Sequence, residues 1–204
     1  MQPQKLAFSI AMAFLLWFFS FSVDWGNFWI KITSSATGLA LLAAFSGFGP
    51  RKWFRFKPMD IIWGAGSAAV LYILFWGGNY ISRLLFPFAS SQVAQLYAKG
   101  DGASGWMVCL VLFFITGPCE EIFWRGYVQE QFTRGLGGLK GWLTASFFYT
   151  AVNLCAMNFM LMGAAAVAGL FWGFIYWRLG RLGPLIISHC IWTTVIFAIF
   201  PIRG

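Results

Sequence analysis

Apolar residues run along this chain in seven long stretches, roughly 6–23, 28–48, 60–86, 106–132, 139–157, 159–179 and 183–201, separated by short joints. A helix rises about 1.5 Å per residue, so about 20 apolar residues cross the hydrocarbon core of a bilayer. Each stretch is therefore predicted to form a transmembrane helix. The runs are continuously apolar and lack the period-2 alternation of lipid-facing barrel strands, which excludes a transmembrane barrel. The first run follows Lys5 without a small-residue cleavage site and a polar mature region behind it, and reads as a retained helix. There is no internal repeat, low-complexity tract or soluble domain. The expected fold is all-α, a polytopic helical bundle of about seven transmembrane helices. Residues 1–105 hold helices 1–3 and residues 106–204 a core of helices 4–7.

Composition agrees with that pattern. Of 204 residues, 60% are hydrophobic and only 10% charged, against about 25% charged in a soluble domain. A soluble enzyme, a secreted disulfide scaffold and a disordered chain are excluded. The net charge of +8 does not point to nucleic acid, because the basic residues are spread over short joints and form no basic helix face. Their positions fix an orientation instead. The second joint carries Arg51, Lys52, Arg55 and Lys57, the fourth Arg134 and Lys140, and the sixth Arg178 and Arg181; with Lys5 these are nine of the fourteen basic residues. Seven spans put all nine on one side, so the positive-inside rule makes the N-terminus cytoplasmic and the C-terminus external, in what reads as a bacterial inner membrane. Trp53, Trp63, Trp106 and Trp142 near helix starts fit interfacial aromatics. Cys109, Cys119, Cys155 and Cys190 lie in apolar stretches without CxxC spacing and read as small buried thiols. Ala165, Gly169 and Gly173 recur at every fourth position, a strip of small residues suited to close helix packing inside the bundle.

The chemistry concentrates in the fourth run. Glu120 and Glu121 lie within Gly117-Pro118-Cys119-Glu120-Glu121-Ile122-Phe123-Trp124-Arg125-Gly126. One ionisable group in a span costs about 3 kcal/mol on insertion scales, so two adjacent carboxylates in an apolar segment mark a functional site. Glu121 and Arg125 are spaced i, i+4 and share a helix face. Glu120 points about 100° away, has no counter-ion in its own helix, and is free to face a polar cavity. A carboxylate so placed suits general acid/base work. Gly117-Pro118 is expected to loosen the helix beside it. The bland reading, a Glu-Arg clamp that only holds the bundle, leaves Glu120 unexplained. His189, the single histidine, lies in the seventh run with Thr193 one turn later, and Asn153 is the strong polar residue of the fifth. Glu120, Asn153, His189 and Thr193 come from three helices, the usual origin of sites in bundle cores.

This arrangement resembles the CPBP intramembrane protease family, which includes the type II CAAX prenyl endopeptidases and the bacterial Abi proteins. The resemblance covers about half of the chain, roughly residues 106–200. Glu120-Glu121-x-x-x-Arg125-Gly126, followed by Tyr127 and Gln129, matches the first family motif closely. The second motif, FxxxH, reads here Tyr149-x-x-x-Asn153, and the third, HxxxN/D, reads His189-x-x-x-Thr193, so both depart from the family in their last residue.

The resemblance implies an endopeptidase in which Glu120 activates water, Glu121 and Arg125 form an orienting pair, and His189 and Asn153 assist, with Thr193 in support at the oxyanion. A zinc site wants three protein ligands, mostly His, and only Glu120, Glu121 and His189 are strong candidates. A metal-free, glutamic-type mechanism without cofactor is expected, with zinc as the alternative. The expected partner is a membrane-embedded protein or peptide substrate in the lipid bilayer, processed near a C-terminal tail in a CAAX-like reaction or by removal of a sorting tag. The two motif departures support a different class, a catalytically inactive membrane scaffold or bacteriocin self-immunity protein. A proton-coupled transporter would carry inverted repeats and interrupted helix pairs, and neither is visible. The topology is checked by reporter fusions: residues 54 and 137 are expected on the same, cytoplasmic side, and opposite sides would overturn the seven-span arrangement.

Overall fold

The computed structural model describes residues 2–46, 55–100 and 102–202. Arg51, Lys52, Trp53, Asp101, Arg203 and Gly204 lie outside the described residues. The described chain is all-helical: α1 (Pro3–Ser22), α2 (Phe28–Phe45), α3 (Met59–Leu85), α4 (Ala89–Ala98), α5 (Gly105–Leu136), α6 (Gly138–Ala151, continued by a 3₁₀ turn over Val152–Ala156), α7 (Phe159–Leu179) and α8 (Gly183–Ile199). Every apolar run forms a helix. Among the described residues, five of these helices (α1, α2, α3, α5 and α7) are long and apolar enough to cross a membrane, while α8 is a shorter apolar helix. The regular part of α6 has 14 residues, about 21 Å at the helical rise, so it falls short of a full crossing before its 3₁₀ extension. The chain is an integral membrane protein, a polytopic helical bundle.

One element was not expected from the apolar runs. Pro87 ends α3, since the residue before a proline is pushed to extended geometry, and Phe86 adopts φ −126°, ψ 113°. The following Ala-Ser-Ser-Gln-Val-Ala-Gln-Leu-Tyr-Ala segment then forms α4, whose Val93, Leu96 and Tyr97 share one face at i, i+3, i+4 spacing and turn inward. Its hydrogen bonds fix it across one end of the bundle. Asn158 Nδ2 donates to the Gln92 carbonyl (2.9 Å), Tyr97 Oη to that of Ile196 (2.9 Å), and Lys99 Nζ to that of Phe21 (2.9 Å).

Contacts between helix ends define two faces. At one, Gln2 N donates to Gln131 Oε1 (3.2 Å) and Arg181 Nη2 pairs with the fully buried Asp60 (2.7 Å). The N-terminus, the start of α3, the end of α5 and the α7–α8 joint therefore lie together, and with them Lys5, Lys57, Arg134 and Arg178. At the other, Trp29 Nε1 donates to the Gly100 carbonyl (3.1 Å), and Ser22 Oγ reaches the Cys155 carbonyl. Lys31 belongs to that end and reaches back along its stem to the Val23 carbonyl.

Glycines set the closest helix approaches. A Cβ on Gly169 would lie 2.9 Å from Tyr149 Cδ1, and one on Gly173 2.7 Å from Trp142 Cδ1. The small-residue strip of α7 is thus filled by α6, and Ser146 Oγ and Trp142 Nε1 donate to the Gly169 and Leu170 carbonyls (both 3.0 Å). At Gly117 a Cβ would stand 2.9 Å from Cys190 Sγ, which marks how tightly α5 and α8 are pressed together beside the carboxylates.

Candidate active site

Glu120 and Glu121 sit in a five-residue α-helical stretch, Gly117–Glu121, between two wide π-helical turns, Leu112–Thr116 and Ile122–Gln129. Pro118 has no N–H to offer the preceding turn, and the Gly117 N–H bonds instead five residues back to the Leu112 carbonyl. The loosening expected at Gly117-Pro118 is therefore a widening, a form of distortion often found at functional sites.

The two carboxylates have opposite environments. Glu121 is fully buried, and its Oε1 accepts from Arg125 Nη1 at 2.9 Å and meets His189 Nδ1 at 2.7 Å. An ionised carboxylate can only accept, so opposite one Nδ1 carries the proton, and in a neutral ring Nε2 is then the acceptor. Trp172 stacks on His189 with ring centroids 4.0 Å apart and planes 16° apart, and its Nε1 is held by Ser188 Oγ (3.1 Å). The Arg125 guanidinium lies over the Tyr149 ring at 4.5 Å and the Trp172 ring at 5.4 Å, so its charge is met by one carboxylate and two π faces. Glu120 is half-buried and faces a cavity; its Oε2 accepts from Tyr149 Oη at 3.3 Å.

That cavity, of about 620 Å³, is lined by Glu120, His189, Asn153 and Thr193, with Tyr149 and Thr116 beside them. Asn153 spends one amide hydrogen on the Tyr149 carbonyl (2.8 Å), which leaves the other N–H. Thr193 donates its hydroxyl hydrogen to the His189 carbonyl (2.7 Å), so towards the cavity it offers lone pairs and not a donor. Thr116, 3% exposed, has no partner for its Oγ1 among the described residues.

The structure thus brings Glu120, Asn153, His189 and Thr193 to one cavity and joins Glu121 to Arg125. It also joins Glu121 to His189, a link the motif spacing does not contain because it spans 68 positions. Sequence reasoning missed three more neighbours. Thr116 is one turn before Glu120 and Tyr149 one turn before Asn153, so the i, i+4 rule was a usable signal for both. Trp172 carried none, being one of twelve tryptophans. Among the described residues no three His, Cys, Asp or Glu side chains cluster as a metal would require. Glu121 Oε1 already receives two N–H groups, while its Oε2 is buried without a partner among the described residues, beside Glu120 and His189 Nε2.

Residues 102–195, a little under half of the chain, match the family model described as Type II CAAX prenyl endopeptidase Rce1-like. No curated protein and no solved structure matches the chain. The fold is a helical bundle with helices long and apolar enough to cross a membrane, and the family that its second half resembles is one of prenyl endopeptidases. Residues 102–195 are similar to an Rce1-like domain, consistent with the CPBP family, and this segment contains Glu120, Glu121, Arg125, Asn153, His189 and Thr193.

The environments of the two carboxylates predict different responses to the same substitution. Glu121→Gln leaves Arg125 and His189 without their carboxylate and is expected to cost about 3–5 kcal/mol, read as a large drop in thermal unfolding temperature in detergent. Glu120→Gln breaks no ion pair and is expected to unfold close to the native temperature.

Proposed function

We propose that this protein is a glutamic-type intramembrane endopeptidase in which Glu120 is the general base. The observation that carries the reading is the division of labour between neighbours: Glu121 Oε1 is held by both Arg125 and His189 inside the bundle, while Glu120 faces the cavity with the Tyr149 hydroxyl as its hydrogen-bond partner among the described residues. In the proposed reaction a water donates one hydrogen to Glu120 and the other to His189 Nε2, which directs an oxygen lone pair at the scissile carbonyl. Glu120 takes the proton as the water attacks. The developing oxyanion is met by the remaining Asn153 N–H and the uncommitted Thr116 hydroxyl. A preorganised donor of this kind is worth about 3–4 kcal/mol. Protonated Glu120 then passes its proton to the leaving amine, as microscopic reversibility allows. Thr193 takes a supporting part by tying down the His189 backbone, a change from the donor role that the motif comparison suggested. No metal step is included in the proposed reaction, because among the described residues no three His, Cys, Asp or Glu side chains cluster as ligands.

The substrate is proposed to be a membrane-associated protein or peptide cut near its C-terminal tail, in CAAX-like processing or removal of a sorting tag. The orientation is proposed from charge: the face carrying Lys5, Lys57, Arg134 and Arg181 is cytoplasmic, in a bacterial inner membrane. The inactive scaffold or self-immunity protein remains the second reading, favoured by Thr193 in the last motif position, where its donor hydrogen is spent on backbone.

The test is activity against a substrate protein co-expressed with the chain. Glu120→Gln is expected to lower cleavage by about 10²–10⁴-fold, and a chelator to leave it unchanged. An unaltered phenotype in Glu120→Gln would support the scaffold. Loss of activity with chelator and its return with Zn²⁺ would overturn the metal-free mechanism.

A further inference from the structure

The ring of Tyr149 is held from three sides. Trp124 of α5 meets it edge-on, with centroids 5.3 Å apart and planes at 85°. The Arg125 guanidinium lies 4.5 Å from its centroid. On the side of α7, a Cβ on Gly169 would stand 2.9 Å from Tyr149 Cδ1, so a larger residue there would push the ring aside. The residue is buried, and its hydroxyl has a fixed place in the bundle. Packing accounts for an aromatic residue at this position but not for the hydroxyl. Phenylalanine, which the second motif carries here, would fill the same space against the same three neighbours.

From that seat Tyr149 reaches two groups that the proposed reaction uses. Its hydroxyl donates to Glu120 Oε2 at 3.3 Å. That separation is long for O–H···O, as catalytic hydrogen bonds often are before substrate is bound. Its carbonyl lies in the last turn of the regular part of α6, which ends at Ala151, where helical carbonyls lack a full set of N–H partners. Asn153 Nδ2 donates to it at 2.8 Å. The bond sets which end of the Asn153 amide faces the helix, because the nitrogen alone can donate to a carbonyl. Tyr149 thus meets the base through its hydroxyl and orients the oxyanion donor through its backbone. Phenylalanine could do only the second.

We propose that Tyr149 is a positioning residue whose hydroxyl holds Glu120 Oε2 and so turns Oε1 to the attacking water. This deepens the protease reading and rests on it. A glutamate side chain has several rotatable bonds to immobilise. General-base geometry tolerates a departure of about 0.5 Å, and a misplacement of about 1 Å can cost about 10²-fold in rate. A cation would hold the carboxylate as firmly, as Arg125 holds Glu121, but would weaken it as a base. A neutral hydroxyl on a clamped ring orients Glu120 without pairing its charge.

Tyr149→Phe in the full chain tests this, because it removes one oxygen and leaves the ring in its seat. Its thermal unfolding temperature is expected to stay close to that of the native chain. The chain has three glutamates, Glu120, Glu121 and Glu130, so protein labelled with ¹³C at glutamate Cδ alone gives three carboxyl signals in bilayers. That of Glu120 is the one lost in Glu120→Gln. In Tyr149→Phe the Glu120 signal is expected to move and to lose anisotropy as the freed carboxylate samples more rotamers, while those of Glu121 and Glu130 stay in place. In the co-expression assay, cleavage by Tyr149→Phe is expected to fall about ten- to a hundredfold, the worth of a hydrogen bond to a charged group. Added to Glu120→Gln, the same change is expected to cost nothing more, since it acts through Glu120. An unmoved Glu120 signal, full cleavage by Tyr149→Phe, or a collapse of its unfolding temperature would overturn the proposal. The carbon signals need no substrate. They decide whether the hydroxyl holds Glu120 even where Glu120→Gln retains cleavage and the protease reading falls.

Discussion

The site depends on one carboxylate oxygen. Glu121 Oε1 receives Arg125 from one turn along its own helix and His189 from α8, both within 2.9 Å. In a medium without water to solvate them, two N–H groups and an anion that fail to meet would each carry a penalty of several kcal/mol. Their meeting therefore selects the register between α5 and α8. It also fixes the histidine: Nδ1 is committed, the ring is held flat against Trp172, and Nε2 is the nitrogen left for chemistry. Glu120, one residue away and about 100° around the helix, inherits a cavity and no counter-ion on its own helix face. One carboxylate does the holding so that its neighbour stays free.

That meeting requires close backbones and a distorted helix. At Gly117 there is no room for a Cβ beside Cys190, so a larger residue would push α8, and His189 with it, away from Glu121. Pro118 removes a hydrogen bond, and the wide turn that results, Leu112–Thr116, ends one helical turn before the carboxylates. On the far side of the cavity, Gly169 and Gly173 let α7 settle against α6. This brings Trp172 and Tyr149 around Arg125. The glycines and the proline are thus part of the site although none of them carries a functional group.

The all-helical class and the functional weight of the carboxylates in the fourth run were legible in the sequence because both follow from the cost of putting polar groups in lipid. The Glu121–Arg125 pair was legible because i, i+4 neighbours share a face. What escaped was whatever depends on contact between helices. The Glu121–His189 bond is one case. The hydroxyl of Thr193, turned back to its own helix, escaped separately: the sequence shows a hydroxyl but not where its hydrogen goes. The α4 segment escaped for a different reason. It is too short and too polar to register as a span, and only its inward-facing Val93, Leu96 and Tyr97 reveal its use. The short α6 read as a full crossing because apolarity, which runs on through its 3₁₀ turn, does not report helix length.

Having a single histidine makes the central claim directly measurable. In protein labelled with ¹⁵N only at histidine, the two ring nitrogens of His189 report which of them carries the proton. With Glu121 as the partner, Nδ1 is protonated and Nε2 is bare in the native chain. That pattern persists in Glu120→Gln and is lost in Glu121→Gln. A proton on Nε2 in the native chain, or a pattern that Glu120→Gln disturbs as much as Glu121→Gln does, would contradict the assignment of Glu121 to structure and Glu120 to chemistry.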